Sequence, residues 1–152
     1  MAFRTLKQDE QLDNSIVVDN SVMMRWLFKD GSNSDQDYAH KVLNAIGSQT
    51  LQIIVPHLWV HESAFVVEYY SRREKFAHDQ CMDQLTWLFD LCTVVRGDET
   101  PADLYEFSHA QGLSAYDAAY AMLALGQACP IATLDKMLIK ASGRAKYSLF
   151  EP

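Results

Sequence analysis

The sequence predicts a three-layer α/β/α sandwich built on a central, mainly parallel sheet. Short apolar runs rich in β-branched residues recur along the chain, and a stretch with helical periodicity follows each of them. Strands that alternate with helices pair in parallel through right-handed crossovers, which place helices on both faces of the sheet. With 152 residues and no internal repeat or Pro/Gly/Ser-rich linker, the chain has the size of one domain.

The first third of the chain is predicted to form a lead-in followed by a strand, two helices and a second strand. Residues 1–14 are polar and are expected to be loosely ordered, whereas residues 15–150 form the single domain. Pro56 closes the second strand and is well placed to open the next helix. The predicted elements are a strand over 15–19, a helix from Ser21 that stops before Asp30, a helix over 35–46 that Gly47 ends, and a strand over 51–55.

The remainder of the chain continues the alternation of helices and short apolar strands. Helices are predicted where apolar residues recur every three or four positions, and strands where four or five apolar residues stand between turn signals. The predicted helices cover 57–73, 76–88, 101–111, 114–128 and 136–141, with Gly112 as a break, and the predicted strands cover 92–95, 130–133 and, as an edge strand, 147–150.

Charge and hydropathy exclude several classes of protein. Thirteen Lys and Arg against twenty Asp and Glu give a net charge of −7, which argues against a broad basic surface that coats nucleic acid. A nuclease remains possible, because metal ions bound to carboxylates supply positive charge locally. No apolar stretch reaches the ~20 residues that span a bilayer, and the polar N-terminus does not resemble a secretory signal. We therefore expect a cytoplasmic protein with no membrane association.

Four acidic residues are predicted to meet at one edge of the sheet. Asp19 ends the first strand and Asp135 follows the last buried one, while Glu62 and Asp117 lie near the starts of two helices. The functional crevice of a parallel sheet lies outside the carboxyl ends of its strands. If both helices begin at that edge, the four carboxylates converge on one spot.

Of the four acids, Glu62 has the surroundings that are least suited to an unpaired charge. The residues one helical turn before and after it are all apolar: Leu58, Trp59, Phe65 and Val66. An ionised carboxylate among such neighbours costs several kcal/mol if it has no partner. Glu62 must therefore pair at long range, be protonated, or bind a cation.

Each acid also has a purely structural interpretation. Asp117 lies three residues after Ser114, in a variant of the capping box, and Asp135 is placed to cap the short helix that follows it. Asp19 is placed to cap the first helix, and Glu62 to pair with a distant Arg. Taken together, however, four like charges at one edge repel unless a cation neutralises them. An all-carboxylate set suits Mg²⁺ or Mn²⁺, and such ions support hydrolysis of phosphodiesters.

Four segments of the sequence contain the four acids and together span most of the chain. The segments are IVVDNSV at 16–22 followed by RWL at 25–27, PHLWVHE at 56–62, LSAYDAAY at 113–120, and IATLDK at 131–136. In this order they resemble a PIN domain, and specifically the VapC-like ribonuclease toxins.

The resemblance implies an endoribonuclease that hydrolyses RNA. It assigns the four acids to a catalytic site that binds one or two Mg²⁺ or Mn²⁺ ions, and it implies products with 5′-phosphate and 3′-hydroxyl ends. Ser21 and Thr133 match supporting polar positions that orient the acids or a bound water. Asn20 is grouped with them, although it is a departure, since a small apolar residue is more usual there.

The resemblance also implies partners. Cations expected to contact RNA are Arg25 and Lys29 on the first helix, and Lys136, Lys140, Arg144 and Lys146 near the C-terminus. The toxin subgroup implies a small antitoxin that lies across the acidic groove, and an apolar face on the helices over 59–88 fits a homodimer.

Four alternatives stay open at this point. The first is a PIN-domain nuclease that processes RNA outside a toxin–antitoxin pair, and the second is a non-catalytic PIN-like module whose acids bind a basic peptide. The third is a phosphoryl-accepting domain with Asp19 as nucleophile, which the missing Asp-x-Asp spacing disfavours. The fourth is a zinc site at His57 and His61, whose spacing alone is a weak signal.

Overall fold

The computed structural model describes residues 4–5 and 10–152. Five strands and seven helices occur in this part of the chain. The strands are β1 (Arg4–Thr5), β2 (Ser15–Val18), β3 (Gln52–Pro56), β4 (Cys92–Arg96) and β5 (Ile131–Ala132). The helices are α1 (Asn20–Leu27), α2 (Asn33–Gln49), α3 (Trp59–Glu74), α4 (His78–Leu91), α5 (Pro101–Gln111), α6 (Ala115–Gln127) and α7 (Lys136–Ala145).

The strands form one parallel sheet in the order β1-β4-β3-β2-β5. Strand β2 lies between β3 and β5, with Val17 opposite both Ile54 and Ile131. All four residues of β2 are buried, because helices cover both faces of the sheet. The prediction of a three-layer sandwich on a mainly parallel sheet is confirmed.

Part of the lead-in adds a strand that the sequence analysis did not predict. Strand β1 pairs with the edge of β4, with Arg4 opposite Val95. Further along, the backbone N–H of Leu12 donates to the side-chain oxygen of Gln127 on α6 at 2.9 Å. Residues 1–3 and 6–9 lie outside the described residues, so the expectation of a loosely ordered lead-in stays a prediction there.

Two predicted helix ends were wrong because non-glycine residues take the left-handed position. Helix α2 continues through Gly47 to Gln49, and Thr50 caps it at φ 53° with its N–H bonded to the carbonyl of Ile46. Helix α7 runs past the predicted end to Ala145, where Lys146 caps it at φ 65°. Left-handed caps usually favour glycine, which is why the sequence signal was misleading at these positions.

Two further predictions need correction at strand ends. Pro56 does not open the third helix: it is the last residue of β3, opposite Val95, and a turn precedes the start of α3 at Trp59. The predicted edge strand over 147–150 is reduced to a single parallel bridge between Leu149 and Ile131. Strand β5 has only two residues, which is too short to support a longer partner.

The carboxyl edge of the sheet, where the four acids are predicted to meet, is supported by a core of fully buried aliphatic residues. Ile16, Val17 and Val18 of β2 and Ile54 and Val55 of β3 are each 0% exposed. The strands that carry the edge residues are therefore held rigidly from both faces. Within residues 10–152, no helix combines the length and the apolar character needed to cross a membrane.

Truncating the central strand should destabilise the protein strongly. Ile54→Ala removes a side chain that is 0% exposed and should lower the free energy of unfolding by about 2–5 kcal/mol in urea denaturation. The matched control Ile139→Ala, at a position that is 42% exposed on α7, should cost less than about 1 kcal/mol. Equal losses in both variants would contradict the described core.

Candidate functional site

The structure brings the four predicted acids to the carboxyl edge of the sheet. Asp19 follows β2 directly, and Asp135 stands at the N-cap of α7, three residues beyond β5. Glu62 and Asp117 lie in the first turns of α3 and α6. Both helices therefore begin at the edge where β2 and β5 end, as the sequence analysis predicted.

The four carboxylates lie within one another's electrostatic field. Burial is the largest cause of the raised pKa of Asp19, and repulsion from Asp117 and Asp135 raises it further. Burial also raises the pKa of Glu62, where Asp19 and Asp117 add repulsion. The pKa of Asp117 is raised by burial and by the charge of Asp135. These couplings connect all four groups in one acidic cluster.

Asp19 is the most deeply placed member of the acidic cluster. It is 6% exposed, and its Oδ2 accepts hydrogen bonds from the hydroxyls of Ser21 at 2.6 Å and Thr133 at 2.8 Å. Its carboxylate makes no capping hydrogen bond to α1, although the residue stands at the N-cap position. The capping interpretation of Asp19 was therefore wrong, because the two hydroxyls hold its oxygen instead.

The hydroxyls of Ser21 and Thr133 also accept hydrogen bonds from the backbone of the loop that follows β5. The Ser21 hydroxyl accepts from the backbone N–H of Leu134 at 3.0 Å, and that of Thr133 accepts from the N–H of Asp135 at 3.0 Å. The loop after β5 is thus tied to the start of α1 through Asp19. Ser21 and Thr133 thus orient the carboxylate of Asp19, and their supporting role at a metal site stays a prediction.

Glu62 is held by a tyrosine that the sequence analysis missed. The phenol of Tyr120 donates to Oε1 of Glu62 at 2.7 Å, and Tyr120 is 1% exposed. Burial raises the pKa of Glu62 to about 7, against the lowering effect of this hydrogen bond. None of the ion pairs between described residues includes Glu62, so the predicted alternative of a distant Arg is not what the structure shows. A buried tyrosine hydroxyl needs a hydrogen-bond partner, and this rule was the signal in the sequence that could have indicated the contact.

The other two acids make the contacts that their structural interpretation predicted. Asp117 accepts the Ser114 hydroxyl at 2.7 Å while its N–H donates to the same hydroxyl oxygen at 3.0 Å. Oδ1 of Asp135 caps α7 by accepting from the N–H groups of Met137 and Leu138 at 2.8 and 2.9 Å. Each carboxylate is thereby oriented by the start of its own helix.

The oxygen atoms left over fit a hard cation in their chemistry. Among the described residues, one oxygen of each acid accepts no hydrogen bond: Oδ1 of Asp19, Oε2 of Glu62, Oδ1 of Asp117 and Oδ2 of Asp135. The carboxamide oxygen of Asn20 is buried and has no hydrogen-bond partner there either. Oxygen-only donors of this kind suit Mg²⁺ or Mn²⁺.

The side chains do not, however, form a ready-made metal site. Across residues 10–152, no group of three or more His, Cys, Asp or Glu side chains is arranged to hold a metal ion. Hydrogen bonds to Tyr120, to Ser114 and to the start of α7 each engage one carboxylate oxygen, of Glu62, Asp117 and Asp135 respectively. The assignment of the four acids to a metal site therefore stays a prediction.

The cations expected to contact RNA fall into two groups. The guanidinium of Arg25 lies 2.5 Å from Asp30 and its side chain is 16% exposed, so its charge is neutralised locally. Arg144 donates to the backbone carbonyl of Gln111 at 2.9 Å. The remaining candidates are exposed, as Arg144 is, and they are Lys29, Lys136, Lys140 and Lys146.

Comparison with known proteins establishes the family. The family model of the PIN domain matches residues 16–143, so the chain belongs to the PIN-domain family. The crystal structure of PAE2754 from Pyrobaculum aerophilum is similar to it, with a TM-score of 0.62 and 20% sequence identity over 84% of this chain and 78% of that one. This likeness shows the fold alone. A search of curated proteins returned no match.

Family membership bears on the acidic cluster. The PIN domain is generally a metal-dependent nuclease fold, and its members are typically hydrolases that use divalent ions. The first of the four expected segments begins at the start of the matched region, and all four lie inside residues 16–143. The acids of this chain thus occupy the matched part of the domain.

The raised pKa of Glu62 predicts a specific dependence of stability on pH. A carboxyl whose pKa is about 7 when folded and about 4.5 when unfolded stabilises the fold below about pH 4.5, and this contribution is lost as the pH rises through about 7. In EDTA, the melting temperature should therefore fall between about pH 5 and pH 7.5.

Substitution of Glu62 isolates this effect. Glu62→Gln should show a smaller fall in melting temperature across the same range, because the variant has no carboxyl to ionise there. Glu106→Gln, at an exposed position on α5, should retain the full fall. A wild-type slope in Glu62→Gln would show that Glu62 is not the group responsible.

Proposed function

We propose that this protein is a divalent-metal-dependent endoribonuclease that hydrolyses RNA phosphodiester bonds at the acidic cluster. The observation that carries the proposal is the mutual repulsion of Asp19, Glu62, Asp117 and Asp135 at one edge of a PIN-domain sheet. Crowding of unneutralised carboxylates costs stability. Such an arrangement is expected where a divalent cation binds between them.

The four acids would hold one or two Mg²⁺ or Mn²⁺ ions. Such an ion, when bound, stabilises charge on a phosphate and lowers the pKa of a bound water. The contribution of the chain is orientation: Ser21 and Thr133 fix one oxygen of Asp19, and Tyr120 fixes one oxygen of Glu62. Each bond leaves the second oxygen of the same carboxylate as a possible metal ligand.

The exposed lysines support binding of the substrate. Lys136 and Lys140 lie on α7, directly after Asp135, and Lys29 follows α1. Because the whole protein carries a net charge of −7, RNA would be held by these local cations and by the metal rather than by a basic face. The hydrolysis would release 5′-phosphate and 3′-hydroxyl ends.

More specifically, we propose that the protein is the toxin of a type II toxin–antitoxin pair in the cytoplasm. Resemblance of the four segments to VapC-like toxins supports it. A small antitoxin with a basic side chain would complement the acidic cluster. A homodimer is supported by large exposed apolar side chains on α3 and α4, namely Phe65, Tyr69, Met82 and Trp87, which are 41–69% exposed.

A second candidate is a non-catalytic PIN-like module whose acids bind a basic peptide. The absence of a ready-made metal site in the described part of the chain favours it. A PIN-domain nuclease that processes RNA without an antitoxin is a third interpretation, with the same acids. Metal-dependent RNA cleavage separates the second candidate from the other two.

Removing single charges tests the catalytic assignment. Asp19→Asn and Asp117→Asn should each lower the rate of Mn²⁺-dependent cleavage of single-stranded RNA by about 100-fold or more. Their melting temperatures in EDTA should stay unchanged or rise, because the substitution relieves repulsion between carboxylates. Cleavage is measured on a fluorescently labelled RNA, and melting by circular dichroism.

The matched control is Asp37→Asn, on the exposed face of α2 in an ion pair with Lys41. It should cleave at the wild-type rate. Unfolding of both site variants would support a purely structural function of these acids, and undiminished cleavage by both would exclude them from the catalytic site.

A further inference from the structure

Asn20, the first residue of α1, is a buried polar residue whose side chain the hydrogen bonds of the site leave unexplained. It is 8% exposed and stands between Asp19 and Ser21 in the sequence. Its carboxamide oxygen, Oδ1, is buried and accepts no hydrogen bond within the part of the chain that the structure describes. A buried acceptor without a partner costs stability, so a fold that keeps one at this position needs a reason.

Asn20 lies between two of the four acids. Asp19 precedes it directly in the chain. Burial raises the pKa of Tyr120 well above its usual value, and the backbone N–H of Asn20 opposes this rise, so that N–H lies against the phenol oxygen. The hydroxyl of Tyr120 in turn donates to Oε1 of Glu62 at 2.7 Å. Asn20 is thus connected to one acid along the chain and to a second acid through Tyr120.

The hydroxyl groups of the site have no hydrogen left for the Asn20 oxygen. A hydroxyl carries a single hydrogen that it can donate. The hydrogens of Ser21 and Thr133 are both donated to Oδ2 of Asp19, at 2.6 and 2.8 Å. The hydrogen of Tyr120 is donated to another acid of the cluster. Ionised carboxylates only accept hydrogen bonds, so a water molecule or a cation remains as the partner of Oδ1.

The charge of the surroundings favours a cation over a water molecule. None of the ion pairs between described residues includes a member of the acidic cluster. A water molecule would satisfy the carboxamide oxygen alone. A divalent cation would satisfy the same oxygen and would also neutralise the carboxylates. Carboxamide oxygens are among the ligands that hard divalent cations take.

We propose that Asn20 supplies a neutral oxygen ligand, Oδ1, to the divalent cation that the acidic cluster binds. A carboxamide adds an oxygen to the site without adding to the repulsion among the carboxylates, as a fifth acid would. Binding of the ion also provides the buried oxygen with the partner that it lacks. This inference rests on the proposed metal-dependent function and adds a residue to the same site.

The first test compares melting temperatures in EDTA and in excess Mg²⁺. Asn20→Ala should not melt below the wild-type protein in EDTA, because the variant has no unpaired buried oxygen. In Mg²⁺ it should melt below the wild-type protein, because a weaker ligand set gains less stability from the ion. The matched control Asn44→Ala, at an exposed position on α2, should gain as much from Mg²⁺ as the wild-type protein does.

Two outcomes of this comparison would overturn the inference. The first is a gain from Mg²⁺ that is the same in Asn20→Ala and in the wild-type protein. The second is a fall in melting temperature that is equally large in EDTA and in Mg²⁺, because such a fall indicates a purely structural side chain.

The second test measures the affinity for the ion directly. Isothermal calorimetry with Mn²⁺ should give a Kd about tenfold higher for Asn20→Ala than for the wild-type protein. Asn44→Ala should keep the wild-type Kd. Equal Kd values for Asn20→Ala and Asn44→Ala would contradict a ligand function of Asn20.

The third test uses only the wild-type protein and does not depend on the folding of a variant. Mg²⁺ is titrated into the protein, and the side-chain carboxamide signals are followed by ¹⁵N NMR. The Asn20 signal should shift together with the backbone amides of the acidic cluster, whereas the Asn44 signal should stay in place. A stationary Asn20 signal while the amides of the cluster shift would overturn the inference.

These tests separate the inference from the proposed function. If the wild-type protein responds to neither Mg²⁺ nor Mn²⁺, the metal-dependent function is overturned, and the ligand function of Asn20 with it. If the wild-type protein binds the ion and Asn20→Ala binds it equally well, the metal site is retained and only the inference about Asn20 is overturned.

Discussion

Electrostatic repulsion among carboxylates at the carboxyl edge of a parallel sheet is the constraint on which the rest of this structure depends. All strands of the sheet run in the same direction, so side chains that follow different strands are brought together there. Asp19 and Asp135 are 116 positions apart in the sequence, yet the charge of one raises the pKa of the other. The buried aliphatic strands that lead to this edge hold the acids in place against the repulsion.

Hydrogen bonds organise the repelling groups without neutralising them. The hydroxyls of Ser21, Thr133 and Tyr120 each donate to one carboxylate oxygen, and no Lys or Arg pairs with the cluster within residues 10–152. Neutral donors orient an acid but leave its charge available to a cation. A site that gives up stability in this way is typical of function rather than of packing.

The sequence predicted the strand–helix alternation, the parallel sheet and the convergence of the acids, because short β-branched runs and isolated charges are local signals. Helix ends were harder, since Thr50 and Lys146 adopt left-handed conformations that usually favour glycine. The Tyr120–Glu62 bond joins residues 58 positions apart. Contacts of that range have no local pattern in a single sequence.

The most direct measurement is Mn²⁺ binding, followed by electron paramagnetic resonance and isothermal calorimetry on the wild-type protein and on Asp117→Asn. The account predicts that the wild-type protein binds one or two ions in the low millimolar range or tighter, with release of protons from the acids whose pKa is raised, and that Asp117→Asn binds more weakly. If the wild-type protein binds no Mn²⁺, or binds it equally well after Asp117→Asn, the crowded carboxylates do not form a metal site.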